Sequence, residues 1–272
     1  MSVSDDETLA QELLAARASR RPLAPLAGRS ADFSVARGYR VAAAIRRRRI
    51  AAGERPVGRK IGFTNRTIWP EYGVYAPIWG DMWDTTVRAL DGVATAFDLS
   101  ALIEPRIEPE IAFGLARAPA PGMDEAALFA CIGWLAHGVE IVDSLFPGWR
   151  FQAADTVAAF GLHAAYLLGP RHAIGEGERR ALFDALGHFA IDLSCDGRPV
   201  DRGEAGAVLG GPLSALRHLV DGLAREPSSR PLEAGEIVTT GTVTRAFPVK
   251  PGETWRTAID GLPLPGLTIA FR

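Results

Sequence analysis

The sequence predicts an α+β fold, a β-rich body behind a small helical N-terminal part. Helical periodicity dominates residues 1–55. From Pro56 the texture changes to short extended runs rich in Val, Ile, Thr and aromatic residues, punctuated by Gly and Pro. Helical and extended stretches do not then alternate, which argues against a doubly wound parallel sheet. The chain therefore divides into a helical region over 1–55 and a β-rich domain over 56–272.

In chain order, Ser4-x-x-Glu7 reads as a capping box opening a first helix, with Leu9, Leu13 and Ala16 on one face. Pro22 and Pro25 break it. A second helix starts near Asp32 or Ser34 and runs to about Ala52, ended by Gly53; its Arg46 to Arg49 run reads as a solvated face. Candidate strands are Val57 to Thr64, Arg106 to Ala116, His137 to Asp143, Ala164 to Leu168, and His188 to Cys195 before an Asp196-Gly197 turn. Helices fit Asp124 to Leu135, Glu178 to Leu186, and Leu213 to Arg225. The tail from Gly235 to Arg272 reads as a β meander with turns at Pro251-Gly252 and Asp260-Gly261.

Composition narrows the function. Thirty Lys plus Arg against 32 Asp plus Glu give a net charge of −2, without the footprint of a general nucleic-acid binder. The longest apolar run, Ala126 to Val142, is interrupted by His137 and Glu140 and is too short for a membrane span. The acidic start at Asp5, Asp6 and Glu7 does not fit a signal peptide. Cys131 and Cys195 form no zinc or redox pattern, so a reducing cytoplasm is expected. Only two of the basic residues are lysines, Lys60 and Lys250. Lys250, beside a Pro-Gly turn, reads as a surface residue.

Three segments carry candidate chemistry. In Arg106-Ile-Glu108-Pro-Glu110, a strand places Arg106, Glu108 and Glu110 on one face. Two carboxylates one pleat apart suit a hard divalent cation; the alternative is a wet face whose glutamates pair with Arg106. Glu140 lies in an apolar stretch with no basic neighbour, where a carboxylate is costly unless paired or metal-bound. Together the three leave open positions on an octahedral ion, and all-oxygen ligation favours Mg²⁺ or Mn²⁺. His137 reads as a satisfied core or capping histidine. In Gly58-Arg59-Lys60-Ile61-Gly62, Arg59 and Lys60 point to opposite sides. Lys60 is either a surface lysine on an edge strand or an inward group. Beside a cation, an inward lysine would have its pKa lowered toward neutrality and could exchange protons. No phosphate loop, nucleophile elbow or dinucleotide fingerprint is present.

The segments Val57 to Thr64, Pro105 to Ala112, Val139 to Val142, Asp155 to Ala158, Leu209 to Ala215 and Thr239 to Gly241 resemble one family in order and spacing across nearly the whole chain. It is the 2-keto-4-pentenoate hydratase and 4-oxalocrotonate decarboxylase branch of the fumarylacetoacetate hydrolase superfamily. The resemblance implies a mixed, rolled β-fold, with Glu108, Glu110 and Glu140 as ligands of Mg²⁺ or Mn²⁺ and Lys60 as the acid/base group. It further implies Thr240 and Gly241, with Arg106, on the substrate side, a small 2-oxo acid as substrate, and a cytoplasmic homo-oligomer. The implied reaction is hydration of a 2-hydroxy-dienoate to a 4-hydroxy-2-oxo acid in aromatic-compound catabolism. Decarboxylation of a 4-oxalocrotonate-like acid, or a non-catalytic accessory role, are the alternatives. Absence of any histidine before position 137 counts against the hydrolase branch. One departure stands out: Ala159-Phe160-Gly161-Leu162 replaces the family's frequent Asp-Asn-x-Ser, so the metal site is kept while the pocket is altered toward a bulkier, more apolar substrate.

Overall fold

A computed structural model describes residues 3–30 and 32–272. Helices α1 (Val3–Ala18) and α2 (Val35–Ala51) precede β1 (Pro56–Gly62), α3 (Trp69–Tyr72), β2 (Ile78–Trp83), β3 (Val87–Ala89), β4 (Ala94–Phe97) and β5 (Pro105–Leu115). Then follow α4 (Glu125–Ala130), β6 (Ile132–Asp143), α5 (Ala153–Ala158), β7 (His163–Ala173), α6 (Arg179–Ala185), β8 (Ala190–Cys195) and β9 (Arg198–Glu204). The chain ends with α7 (Pro212–Arg225), β10 (Ile237–Thr239), β11 (Phe247–Pro248), β12 (Thr254–Asp260) and β13 (Thr268–Phe271). The larger sheet runs β2-β1-β10-β5-β6-β7-β3, with β11 also on β5; the smaller runs β4-β13-β12-β8-β9. Both mix parallel and antiparallel pairs.

Alternation along the strands divides the large sheet. Ile61, Ile111, Phe113 and Val238 face a core shared with α7. That helix buries Leu213, Leu216, Leu219, Val220 and Leu223, spaced at three and four residues along one stripe. Ile107, Val139, Ile141 and Leu167 pack instead against Trp255, Ile269 and Phe271 of the smaller sheet. The intervening residues project to the opposite face, where the candidate site lies. Helices α1 and α2 share a core with Leu145, Phe146, Ala154 and Ala158, so they pack directly on the segment leading into β7. Ser34 caps α2 by accepting from the Arg37 amide at 3.3 Å.

Several expectations are corrected. The first helix begins at Val3, which puts Ser4 inside its first turn, and the Ser4 side chain lies outside the described residues. Helix α4 stops at Ala130; Ile132 to Leu135 already belong to β6, because pairing with β5 and β7 outweighs the helical preference of the alanine-rich run. The tail is not a meander. Strand β10 inserts between β1 (parallel) and β5 (antiparallel), and β12–β13 is the consecutive pair it contains. The Arg46 to Arg49 run is ion-paired rather than simply solvated: Arg46 meets Asp81 at 2.5 Å, Arg47 and Arg48 meet Glu7, and Arg49 pairs with Glu54 and lies 4.4 Å over the Trp83 ring. Strand β1 is flanked on both sides, so Lys60 is not on an edge. Among the described residues no helix is long and apolar enough to cross a membrane.

Leu216 is fully buried where α7 meets the large sheet. Leu216→Ala is expected to lower unfolding free energy by about 2–5 kcal/mol in urea titrations, whereas a cost near zero would show that α7 is not part of the cooperative core.

Candidate active site

Strand register assembles the site. Glu108 lies opposite Glu140, and Glu140 opposite Tyr166, in neighbouring antiparallel pairs; Glu110 lies opposite Gly138. Register partners project to the same face, so the three carboxylates converge. One oxygen from each lies within 4.8 Å of the others. On the other side, Lys60 of β1 lies opposite Thr239 of β10, which lies opposite Ala112 of β5. That brings Lys60 Nζ to 3.1 Å from Glu140 Oε2 and 3.0 Å from the Gly161 carbonyl. The Lys60, Glu110 and Glu140 side chains are almost completely buried.

The electrostatics follow from that burial. Burial, with repulsion from Glu140 and Glu108, pushes Glu110 well above the usual carboxylate range. Burial raises Glu108 to about 7. For Glu140, burial is outweighed by the Lys60 charge and a 2.8 Å hydrogen bond with His163 Nδ1, so it is held below its ordinary value. Burial alone would depress Lys60, but Glu140, Glu108 and Glu110 more than offset it, so its pKa is raised and not lowered as the sequence suggested. Glu110 Oε2 accepts the Gly241 amide at 2.9 Å, while its buried Oε1 has no hydrogen-bond partner. Three hard oxygen donors, one of them orphaned, sharing a single adjacent lysine, are a fit for a divalent cation.

The carboxylates open into a pocket lined by Lys60 and Glu108, by Thr64, Thr242 and Thr244, and by Phe63, Ile68, Tyr72, Val142, Trp149 and Leu162. Gly241 also lines it. Gly241 has φ +88, and a Cβ there would fall 2.0 Å from Thr64 Oγ1, so only glycine lets the amide reach Glu110 beside that threonine. Thr240 does not line the pocket: it is fully buried and its hydroxyl donates to the Ile111 carbonyl at 2.9 Å. Arg106 stands at the rim, 3.9 Å over the Trp149 ring and donating to the Tyr72 hydroxyl at 3.0 Å. It does not pair with the glutamates. His137 is a satisfied core histidine, 3.0 Å from the Glu110 carbonyl and 2.8 Å from Thr257 Oγ1, and burial lowers it to about 4.

No family model matches the chain. It is 32% identical over 257 residues to 2-hydroxyhexa-2,4-dienoate hydratase of Comamonas testosteroni, covering 94% of each chain. It is 33% identical over 265 residues to 2-keto-4-pentenoate hydratase of Paraburkholderia phymatum, covering 96% of this chain and 97% of the relative. The chain belongs to the 2-keto-4-pentenoate hydratase family. Its structure superposes on 4-oxalocrotonate decarboxylase from Pseudomonas putida G7, solved with magnesium and adipate, with a TM-score of 0.90 at 27% identity over 100% and 99% of the two chains. Fumarylpyruvate hydrolase from Pseudomonas aeruginosa shares the fold alone, with a TM-score of 0.56 at 17% identity over 80% and 89%. The mixed sheets and helices are thus of the fumarylacetoacetate hydrolase type, and this hydratase-family chain is an enzyme of the lyase class.

Within this hydratase-family site, sequence reasoning missed His163, Thr64, Thr242 and Thr244. His163 joins Glu140 to Thr86 Oγ1, which lies 2.9 Å from its Nε2. It stands one residue past the altered Ala159-to-Leu162 segment, and a histidine within that apolar run was the available signal. Asp155, in one of the family-like motifs, accepts the Gln152 and Ala27 amides, starting α5 and tying it to the N-terminal region.

His163→Ala should weaken Mn²⁺ binding about 10–100-fold through loss of Glu140 orientation, and Glu108→Gln should also weaken it; unchanged Mn²⁺ affinity in Glu108→Gln would remove it from the ligand set. The proton balance gives a second expectation. Folded, metal-free protein keeps the Glu108 proton up to about pH 7, whereas the unfolded chain releases it near the ordinary 4.5. The stability this group contributes is therefore present below pH 4.5 and lost as pH rises to about 7. Over that window metal-free wild type should lose stability relative to Glu108→Gln in urea titrations; parallel profiles would contradict the raised pKa of this half-buried carboxylate.

Proposed function

We propose that the enzyme hydrates a 2-hydroxy-2,4-dienoate, through its 2-oxo-enoate tautomer, to a 4-hydroxy-2-oxo acid in the breakdown of aromatic-derived compounds. One observation carries the reading: three carboxylates converge beside a buried lysine at the floor of a largely apolar pocket. The hydratase relatives named above support it. Glu108, Glu110 and Glu140 are the residues that would hold Mg²⁺ or Mn²⁺, the ions that all-oxygen ligation favours and one of which the P. putida decarboxylase binds. When bound, such an ion supplies positive charge where the 2-oxo group becomes negative as the dienol tautomerises. It also makes the acidic floor hospitable to an anionic substrate.

The protein's own groups then bind and move protons. Thr64, Thr242, Thr244 and the Gly241 turn offer the polar wall for the substrate carboxylate. Tautomerisation removes the 2-hydroxyl proton and places one on the far carbon. Water next adds across C3–C4, its hydroxyl going to C4 and a proton to C3. Lys60, charged at rest, donates a proton to substrate carbon and is recharged from the protons released. An arginine could not do this, because it does not deprotonate. Glu140 and the Gly161 carbonyl fix the position of Nζ, while Phe63, Leu162 and Trp149 keep bulk water from the reacting carbons. A cytoplasmic setting accords with the two free cysteines. Self-association is supported by Tyr75 and Val35, both exposed along one groove.

With Mg²⁺ present, loss of dienol absorbance without CO₂ release is the expected result, and stoichiometric CO₂ release would replace hydration by decarboxylation. Lys60→Met should cut turnover roughly a hundred- to ten-thousand-fold while retaining Mn²⁺ binding; near-normal turnover would end its acid/base assignment.

A further inference from the structure

We infer that the far end of the pocket is built for an apolar, flat substituent, such as an aryl ring on the distal carbon of the dienoate, and not for a second carboxylate. The inference rests on the hydratase reading and specifies its substrate class. Beside the polar Lys60, Glu108, Asn65 and three threonines, the lining is made by Phe63, Ile68, Tyr72, Val142, Trp149 and Leu162, so an extension beyond the 2-oxo acid head meets a largely apolar wall.

The two arginines nearest this wall are each held in place by a protein group. Arg106 lies on the Trp149 ring and donates to the Tyr72 hydroxyl. Arg245, which reaches the pocket, is held 2.7 Å from Glu71 Oε2. A carboxylate placed against this wall would lose water, and could reach Arg106 only by drawing it off the Trp149 ring and the Tyr72 hydroxyl.

The wall is also preformed. Tyr72 stacks on Phe151 with centroids 5.5 Å apart and meets Phe63 edge-on at 5.8 Å; Trp149 packs on Phe151 at 6.0 Å. Backbone strain concentrates at the same place. Phe63 (φ 54), Trp149 (φ 58), Phe160 (φ 62) and Leu162 (φ 63) all adopt left-handed conformations that bulky residues avoid. Strained residues of this kind persist where the surroundings fix them, and they gather at ligand clamps. Arg17 contributes to that fixing: it donates to the His163 carbonyl at 3.1 Å and lies over the Phe160 ring at 5.4 Å. Strain held at three pocket-lining apolar residues implies that their orientation is what the site uses.

The test is calorimetric binding of two non-hydratable 2-oxo acids with the same head and spacer, 2-oxo-5-phenylpentanoate and 2-oxoadipate, to the Mg²⁺-loaded protein. The phenyl compound is expected to bind roughly tenfold or more tightly, and Trp149→Ala and Ile68→Ala should each shrink that ratio. Equal affinities, tighter 2-oxoadipate binding, or a ratio unmoved in both folded variants would overturn the inference. Turnover of the matching 2-hydroxy-dienoates is measured in parallel. Phenyl selectivity in binding with no dienol loss on any substrate supports the subsite and overturns the hydratase reading; dienol loss with a preference for the dicarboxylate does the reverse.

Discussion

Three carboxylates held within 4.8 Å of one another in a buried site are the constraint on which the rest of the structure depends. Their mutual repulsion and desolvation must be offset, and each neighbouring element contributes to that. Lys60 supplies a charge from β1, His163 a hydrogen bond from β7, and Gly241 an amide from the turn after β10. What remains unpaired, notably Glu110 Oε1, is what a divalent cation would satisfy. The site is therefore electrically unbalanced alone, which suits the cation-binding role proposed for it.

The scaffold answers a second demand, that these groups not move. Long antiparallel pairing of β5 with β6 fixes the glutamates opposite one another, and the opposite face is locked by α7 and the smaller sheet. The N-terminal helices act at a distance from the carboxylates yet brace the turn that delivers Gly161 to Lys60, through Arg17 and the core shared with Leu145 and Ala158. The arginine-rich composition acquires a purpose here: Arg37 ties α2 to Asp6 of α1, Arg46 ties α2 to Asp81 of β2, and Arg59 ties β1 to the same Asp81 and to Glu236 ahead of β10, while the buried lysine is kept for Glu140.

Much of this was legible beforehand. The E-x-E pattern, the isolated Glu140 and the scarce lysine pointed to groups that the structure brings together, because the cost of burying a charge makes each conspicuous against apolar neighbours. Helices α2 and α7 and strands β1 and β5 were placed within a few residues, since their periodicities are strong. Boundaries failed where tertiary pairing overrode local preference, as at Ile132 to Leu135, and where sequence-distant strands pair, as with β10 between β1 and β5.

The sequence by itself determined the chemistry: which side chains could bind a hard cation, which could carry a proton, and that the pocket segment at Ala159 to Leu162 had turned apolar. Tertiary structure alone decided the partners. Glu140 looked isolated in the chain, yet its charge is met by Lys60, 80 positions away, and by His163, 23 positions away. Thr240, adjacent to a pocket glycine, turns out to be tied to Ile111. The physical reason is that identity and polarity are local properties, while electrostatic compensation depends on distance in space, which is fixed only when the strands pair.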